Sequence, residues 1–418
     1  MKVCIIGSGI SGLYSALLLL KSGIEDITIF EKNDIIGGRI KTINFDGMDV
    51  VAGAGIGRYG KDKLLYNLCQ ELGVEPSIYP KSQVVYSPNI DTDVLTPVDD
   101  VVKFLKKKFK ENPSIHSQTT FKTFATKHLG KKNYENFTLT VGETDYEDAD
   151  VYDVLYHYGF EFSKGVQAFG INWKNFLLAC EKRLEKHIMT NKTVDEIKQT
   201  SSGKYIVDGT MYDKVIIATD IGCLKKLLGK NNLYKPIYDN VACQSFTRLY
   251  VTLEKALELN GRLVITPKPI QKIIEMNKER HIYMISYSDN ESADKWKAWS
   301  KKNSIFLNQK VETYLKEFFD QNVKVIKSEL VYWACGTHYF KPLFSSEYKN
   351  RDDYLKNAQN PYPNMYVVGE AFSNEQGWCE GALQSVKKII NHFSFEKKKK
   401  KSKSRSKNRK SRRSIKKK

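Results

Sequence analysis

The sequence predicts an α/β fold in two interleaved parts: a βα-rich part assembled from separated segments, and an inserted α+β part built on an antiparallel sheet. Three observations predict it. An apolar strand, a glycine-spaced turn, a helix and a second strand fit within about 30 residues at the start, the size of one βαβ unit. The βα alternation returns near the middle and again near the end. Between those returns, short β-type runs succeed one another with turn residues separating them.

Lys2 to Ile6 is an apolar strand, Ser11 to Ser22 a helix and Ile27 to Glu31 a second strand. A flanking helix is expected at Val98 to Lys110 and a βα-part helix at Trp173 to His187. Tyr205 to Val207 and Lys214 to Ala218 read as strands. Arg248 to Leu253, Leu263 to Thr266, Lys272 to Glu275 and Ile282 to Tyr287 form the expected antiparallel sheet, with turns at Pro267-Lys268-Pro269 and Asn277-Lys278-Glu279. A second flanking helix spans Asn308 to Phe319. Strand Met365 to Val368 and helix Gly381 to His392 close the folded body. The segments 1–75, 165–241 and 342–396 thus make one discontinuous domain, 76–164 and 242–341 a second, and 397–418 a tail.

The 418 residues suffice for two ordinary cores. No apolar run reaches the roughly 18 residues of a membrane span. The apolar run Ala16 to Leu20 lies behind Gly7, Gly9 and Gly12 with no small-residue cleavage site after it, so a cytoplasmic chain is expected rather than a secreted one. The seven cysteines are dispersed without a C-x-x-C pair. Neither a disulfide framework nor a metal site is expected, in keeping with a reducing compartment.

The formal charge of +19 is local: 15 basic and no acidic residues lie in 397–418, leaving +4 for the rest. Such a Lys/Arg/Ser run cannot bury a core and is expected to be disordered. It is suited to nonspecific contact with nucleic acid or an acidic surface, or to nuclear targeting, and equally to simple solubilisation.

The chemistry begins at Gly7-Ser8-Gly9-Ile10-Ser11-Gly12. Gly7 permits the tight turn, Gly9 lets the backbone approach a pyrophosphate, and Gly12 lets the helix pack on the sheet. The helix N-terminus, at Ile10 and Ser11, then faces the phosphates. Glu31 ends the second strand, where a carboxylate accepts from ribose hydroxyls and disfavours a 2′-phosphate. The fold of the βα part is therefore Rossmann-like, and FAD or NAD is expected rather than NADP.

The residues after Glu31 separate FAD from NAD. Lys32-Asn33-Asp34-Ile35-Ile36-Gly37-Gly38-Arg39 with Thr42 resembles the G-G-R-x-x-T segment of the flavin amine oxidase family. Tyr366 to Ala371 and Gly377-Trp378-Cys379-Glu380-Gly381-Ala382 resemble its C-terminal signature. Weaker pieces agree: Gly53-Ala54-Gly55 through Arg58, Asn191 to Ile197 read as a strand, and Val215 to Thr219. The resemblance implies FAD held by Lys32, Gly38, Arg39, Gly55, Val194, Gly369 and Glu370, with Gly381 and Ala382 opening a helix toward the flavin.

The resemblance also implies a substrate cage. Trp378 falls at one of its aromatic positions. Trp333 to Phe340 resembles the segment that carries a flavin-linking cysteine and then the second ring; Cys335 falls at the cysteine, and Gly336 replaces the ring. Noncovalent FAD with Cys335 nearby is expected, a cysteinyl link being the alternative. His338, as a proton acceptor, and Tyr339 are candidates to line the pocket. Lys255 and Lys272 are candidates for a lysine holding a water at the flavin. The acidic run Asp145 to Asp150 reads as a solvated loop. The expected activity is oxidation of an amine with O2 as electron acceptor. A desaturase acting on C–C bonds, an NAD-linked dehydrogenase, and a non-catalytic FAD fold acting through its basic tail are the alternatives.

Overall fold

A computed structural model describes residues 1–78, 84–113, 118–144, 147–155, 167–259, 263–342, 348 and 350–393. The tail at 397–418 and Asp145-Tyr146 of the acidic run lie outside these. Among other elements, the chain passes through β1 (Val3–Ile6), α1 (Ile10–Lys21), β2 (Ile27–Phe30), α2 (Lys63–Leu72), β3 (Val84–Tyr86), α3 (Trp173–Leu184), β4 (Ile188–Met189), β5 (Lys214–Ile217) and α4 (Ile221–Lys230). It continues through β6 (Val241–Leu253), β7 (Leu263–Ile265), β8 (Lys272–Asn277), β9 (Ile282–Asp289), β10 (Val325–Phe340), β11 (Met365–Val367) and α5 (Cys379–Ile390).

The first sheet is parallel, in the order β11-β5-β1-β2-β4. Its central strand Val3-Cys4-Ile5-Ile6 is buried on both faces, which explains why it reads as a continuous apolar run. Val3 and Ile5 face a core with α1, α2, α3 and α5. Cys4 and Ile6 face a second core with α4. Leu13, Ala16 and Leu19 of α1 recur on one face and are buried; each leucine contributes about 1.5–3 kcal/mol by leaving water.

The second sheet has the order β10-β6-β9-β8-β7-β3. It is antiparallel except at one edge, where β3 joins β7 in parallel, a departure from the expected sheet. Strand β10 was not legible in the sequence, because it mixes the exposed Lys327 and Glu329 with half-buried aromatics. It pairs along the whole of β6. The flanking helix expected from Asn308 starts at Ser304, where the Asn303 side chain accepts from the Phe306 amide at 2.7 Å and caps it. The last helix likewise starts at Cys379 instead of Gly381.

Two further expectations are corrected. The strand expected at Asn191 to Ile197 is not formed: the chain runs beside β2, donating from Asn191 to the Asn33 carbonyl and from Lys192 to the Glu31 carbonyl, and strand pairing starts only at Ile197. The cysteines are not all free. Cys243 of β6 and Cys335 of β10 form a disulfide, their Cα atoms 5.2 Å apart. Ninety-two residues separate them in sequence, so only the β6–β10 pairing brings them together.

Glycine is obligatory at the first turn for steric reasons. A Cβ on Gly12 would lie 2.0 Å from the Gly7 carbonyl oxygen. Gly12→Ala is therefore expected to destabilise the protein by about 1–3 kcal/mol, read from denaturant unfolding. An unchanged midpoint would contradict this packing.

Candidate functional site

Helix α1 follows the carboxyl end of β1, and α5 follows that of β11 through the segment Gly369 to Trp378. The α1 N-cap is Gly9 and the α5 N-cap is Trp378, and neither end has a side-chain cap. By contrast, Asp220 caps α4 by accepting from the Cys223 amide at 2.8 Å. Uncapped ends leave amide donors and the positive end of the helix dipole for an anion. A Cβ on Gly9 or Gly369 would meet nothing within 4 Å, so the backbone is open to a ligand at both. The Gly37-Gly38 loop lies against Gly9, with the Gly37 amide donating to the Ser8 carbonyl at 3.0 Å. Gly38 adopts φ +56°, and a Cβ there would lie 3.5 Å from the Gly9 Cα. On α5, Gly381 is forced by packing: a Cβ would lie 1.9 Å from the Glu375 carbonyl oxygen, and Ala382 beside it is buried.

Glu31 is buried and already engaged. One oxygen accepts from the Ser8 amide (3.0 Å) and hydroxyl (2.7 Å), the other from the Asn33 amide and side chain (both 3.0 Å). It thus braces the glycine loop, a role the sequence did not show. Val194 packs nearby, against the core behind β1 and β5, and the Lys32 ammonium reaches the Cys223 sulfur at 3.5 Å.

Glu370 is a buried charge. Arg39 donates to its Oε1 at 2.7 Å, the Gly377 amide to its Oε2 at 2.8 Å, and His338 contacts Oε1 through Nδ1. Arg39 also donates to the Gly336 carbonyl at 2.8 Å. Burial alone would raise the Glu370 pKa; the His338 ring and the Arg39 guanidinium overcome it and hold the carboxyl well below the usual carboxylate range. His338 itself is fully buried. Its Nε2 accepts from the Ile221 amide at 3.1 Å and lies 3.3 Å from the Cys335 sulfur. Both ring nitrogens of His338 are thus engaged by protein groups, Nδ1 by Glu370 and Nε2 by the Ile221 amide. Its neighbour Tyr339 points the other way along the strand, into the helical cluster of Phe121 and Phe137. The structure does not bring the two together.

Trp378 is partly buried. Its indole N–H donates to Asp62 Oδ2 at 2.9 Å, and the Arg58 guanidinium, paired with Asp62 at 3.0 Å, lies 5.9 Å from the ring. Cys335 is tied to Cys243, so a cysteinyl flavin would first require that bond to be reduced. With the disulfide formed, the Cys243, Cys335 and His338 cluster offers no thiolate pair to a metal. Gly336 cannot carry a side chain, since a Cβ would lie 2.4 Å from that of Phe246. Phe246 thus takes the space that a ring at 336 would need, and it packs edge-on to Tyr287 at 4.7 Å. Lys255 is exposed beyond the end of β6, and Lys272 pairs with Glu143 at 2.6 Å. Within the acidic run, Glu147 pairs with Lys122 at 3.0 Å and Asp150 accepts from the Tyr152 amide at 2.9 Å, both structural contacts.

Sequence reasoning missed Arg248, Phe246 and Tyr287, which meet only through strand register: Arg248 stands opposite Tyr287. It also missed Glu380, whose two oxygens accept from the Leu64 (3.0 Å) and Leu65 (2.9 Å) amides and cap α2.

A Rossmann-type sheet with two uncapped helix ends and a partly buried Arg–Glu pair between them defines a dinucleotide-binding oxidoreductase. The chain belongs to the flavin-containing amine oxidoreductases, whose family model matches residues 10–388. It is a flavoprotein of the FAD class, and the open glycines and uncapped helix ends fit that cofactor. It resembles tryptophan 2-monooxygenase of Allorhizobium ampelinum, 47% identical over 75 residues that cover 18% of this chain and 10% of that one. It also resembles polyamine oxidase 1 of Zea mays, 43% identical over 53 residues covering 13% and 11%. The matched stretches span about a tenth of those relatives' length. Among solved structures, putrescine oxidase bound to putrescine superposes with a TM-score of 0.71 at 14% identity, covering 94% of this chain and 98% of that one. A double mutant from a redesign of its cofactor binding superposes at 0.73 with 15% identity and the same coverage. Among the described residues, no helix is long and apolar enough to cross a membrane.

Two outcomes are expected. Gly9→Ala should leave the unfolding midpoint of the cofactor-free protein unchanged, because the Cβ meets nothing, yet weaken FAD binding; unchanged FAD affinity by fluorescence titration would contradict the open-glycine reading. The second concerns Glu380, whose pKa burial raises to about 7. The folded state then holds a proton that the unfolded state has lost, so this group's contribution to stability falls as pH rises from about 4.5 to 7. Wild type should lose stability relative to Glu380→Gln between pH 5 and 8 (about one to two units either side of the midpoint). A pH-independent difference would refute it.

Proposed function

We propose that this chain is an FAD-dependent oxidase of amines that uses O2 as its electron acceptor. What supports the reading most is the pair of uncapped helix N-termini, α1 and α5, joined by the partly buried Arg39–Glu370 pair at the carboxyl ends of parallel strands. Bound FAD would supply the two-electron chemistry, acceptance of a hydride from the carbon next to the amine nitrogen with O2 as the final electron acceptor.

The chain's own residues hold and orient. Gly9, Ile10, Ser11 and Gly12 present amides to the pyrophosphate. Glu31, Lys32 and Val194 serve the adenosine end. Gly38, Arg39, Gly55, Gly369 and Glu370 line the middle, and Gly381 and Ala382 direct the dipole of α5 at the ring that gains charge. Trp378, clamped by Asp62, walls the amine side. His338 holds Glu370 in place. In this reading 1–75, 165–241 and 342–396 form the cofactor domain and 76–164 with 242–341 the substrate domain.

The flavin is held noncovalently, since Cys335 is engaged with Cys243. A cytoplasmic place rests on the sequence, and the disulfide runs against it, because lasting disulfides are uncommon in reducing compartments. A nucleic-acid or acidic partner for 397–418, and a nuclear place, rest on the basic composition alone.

The purified protein should show the visible bands of oxidised flavin, and acid precipitation should leave the colour in the supernatant. An amine panel should yield peroxide that catalase removes. Colour in the pellet would contradict the noncovalent assignment. A colourless protein that FAD does not reconstitute would overturn the enzyme reading.

A further inference from the structure

The sulfurs of Cys243 and Cys335 and a ring nitrogen of His338 lie within 4.8 Å of one another, with His338 buried and both cysteines half-buried. Among the described residues this is the one group of three Cys, His, Asp or Glu side chains whose ligand atoms converge so closely. Strand register builds it. Cys243 of β6 stands opposite His338 of β10. On a regular strand Cys335 and His338, three residues apart, would face opposite sides. The pairing slips there: Gln244 stands opposite Thr337 but Phe246 opposite Trp333, so Cys335 lies on an irregular stretch of β10. Such an irregularity re-aims a side chain, and the Cys335 sulfur comes within 3.3 Å of His338 Nε2.

The imidazole is set up as a ligand. The Ile221 amide donates to Nε2, so that nitrogen carries no proton and has a lone pair. Nδ1 carries the proton and donates it to Glu370, which Arg39 and the Gly377 amide hold from other sides. A carboxylate behind a histidine is the outer partner that fixes tautomer and ring orientation at zinc sites. Two soft sulfurs and an imidazole suit Zn2+, with the fourth position left to water beside the half-buried cysteines. In the disulfide the sulfurs are bonded to each other, so the site exists only after reduction.

We propose that reduction of the Cys243–Cys335 disulfide opens a Zn2+ site formed by both thiolates and His338 Nε2. An external dithiol supplies two electrons and two protons, the S–S bond breaks, and the dithiol leaves as its own disulfide. On metal binding both thiol protons go to solvent, two Zn–S bonds form, and the Ile221 amide gives up Nε2 to the metal. The ion then ties β6 to β10 as the disulfide does, so the same cross-strand link is available in oxidising and in reducing surroundings. The inference goes beyond the amine-oxidase reading and does not rest on it, because no substrate is involved.

The test uses the full chain as purified, reduced with dithiothreitol, freed of it without air, and titrated with Zn2+ against a chromophoric chelator. The reduced protein should bind Zn2+ about a hundredfold or more tighter than the oxidised protein, since even an outer partner of a zinc ligand is worth about 10–100-fold in affinity. Cys243→Ser and Cys335→Ser should each lose that gain. Zn2+ should raise the thermal unfolding temperature of the reduced wild type and leave that of the oxidised one unchanged. Co2+ in place of Zn2+ should add thiolate-to-metal charge-transfer absorption to the reduced wild type alone. Comparing reduced with oxidised wild type requires no variant to fold. Equal Zn2+ affinity in the two states, a gain that survives either serine substitution, or no thiolate–Co2+ absorption would overturn the proposal. A protein that shows this zinc response but cannot be loaded with flavin would overturn the amine-oxidase reading and leave the zinc site standing.

Discussion

The buried carboxylate of Glu370 is the interaction on which the site depends. Its three donors come from distant parts of the chain: Arg39 after the second strand, His338 near the end of β10, and the Gly377 amide ahead of α5. A charge in that position costs several kcal/mol unless it is paired and hydrogen-bonded (about that much per ion). The three bonds offset this only when all three segments are in register. Glu370 therefore reports that the glycine loop, the long strand and the last helix have come together.

The same hub joins the two sheets. Strand β10 belongs to the second sheet, yet His338 reaches across to the Ile221 amide at the start of α4, and Phe340 enters the core behind the first sheet. The Cys243–Cys335 disulfide fixes β10 to β6 close to His338. Arg248 lies farther along β6, where the second sheet touches Gly53. The second sheet is thus anchored to the first through a few named contacts.

The cofactor half was legible because its constraints are local. Gly7, Gly9 and Gly12 encode a turn, an open approach and a packing contact within six residues, and Glu31 sits a fixed distance beyond. The Gly38-Arg39 and Gly369-Glu370 segments carried a family resemblance. The features hidden from the sequence depend on long-range pairing. Cys243 and Cys335 have no telling spacing. Strand β10 alternates too irregularly to read, and Arg248 meets Tyr287 only through the β6–β9 register. His338 was among the residues the sequence singled out, but its contacts with Glu370 and the Ile221 amide arise from long-range packing that no local pattern reveals.

The most direct test is FAD affinity of Glu370→Gln, measured by fluorescence titration alongside circular dichroism. A retained fold with affinity reduced by about tenfold or more (1.4 kcal/mol) is predicted, because Arg39 loses the charge that orients it. Wild-type affinity in a folded Glu370→Gln protein would contradict the central role given to this carboxylate.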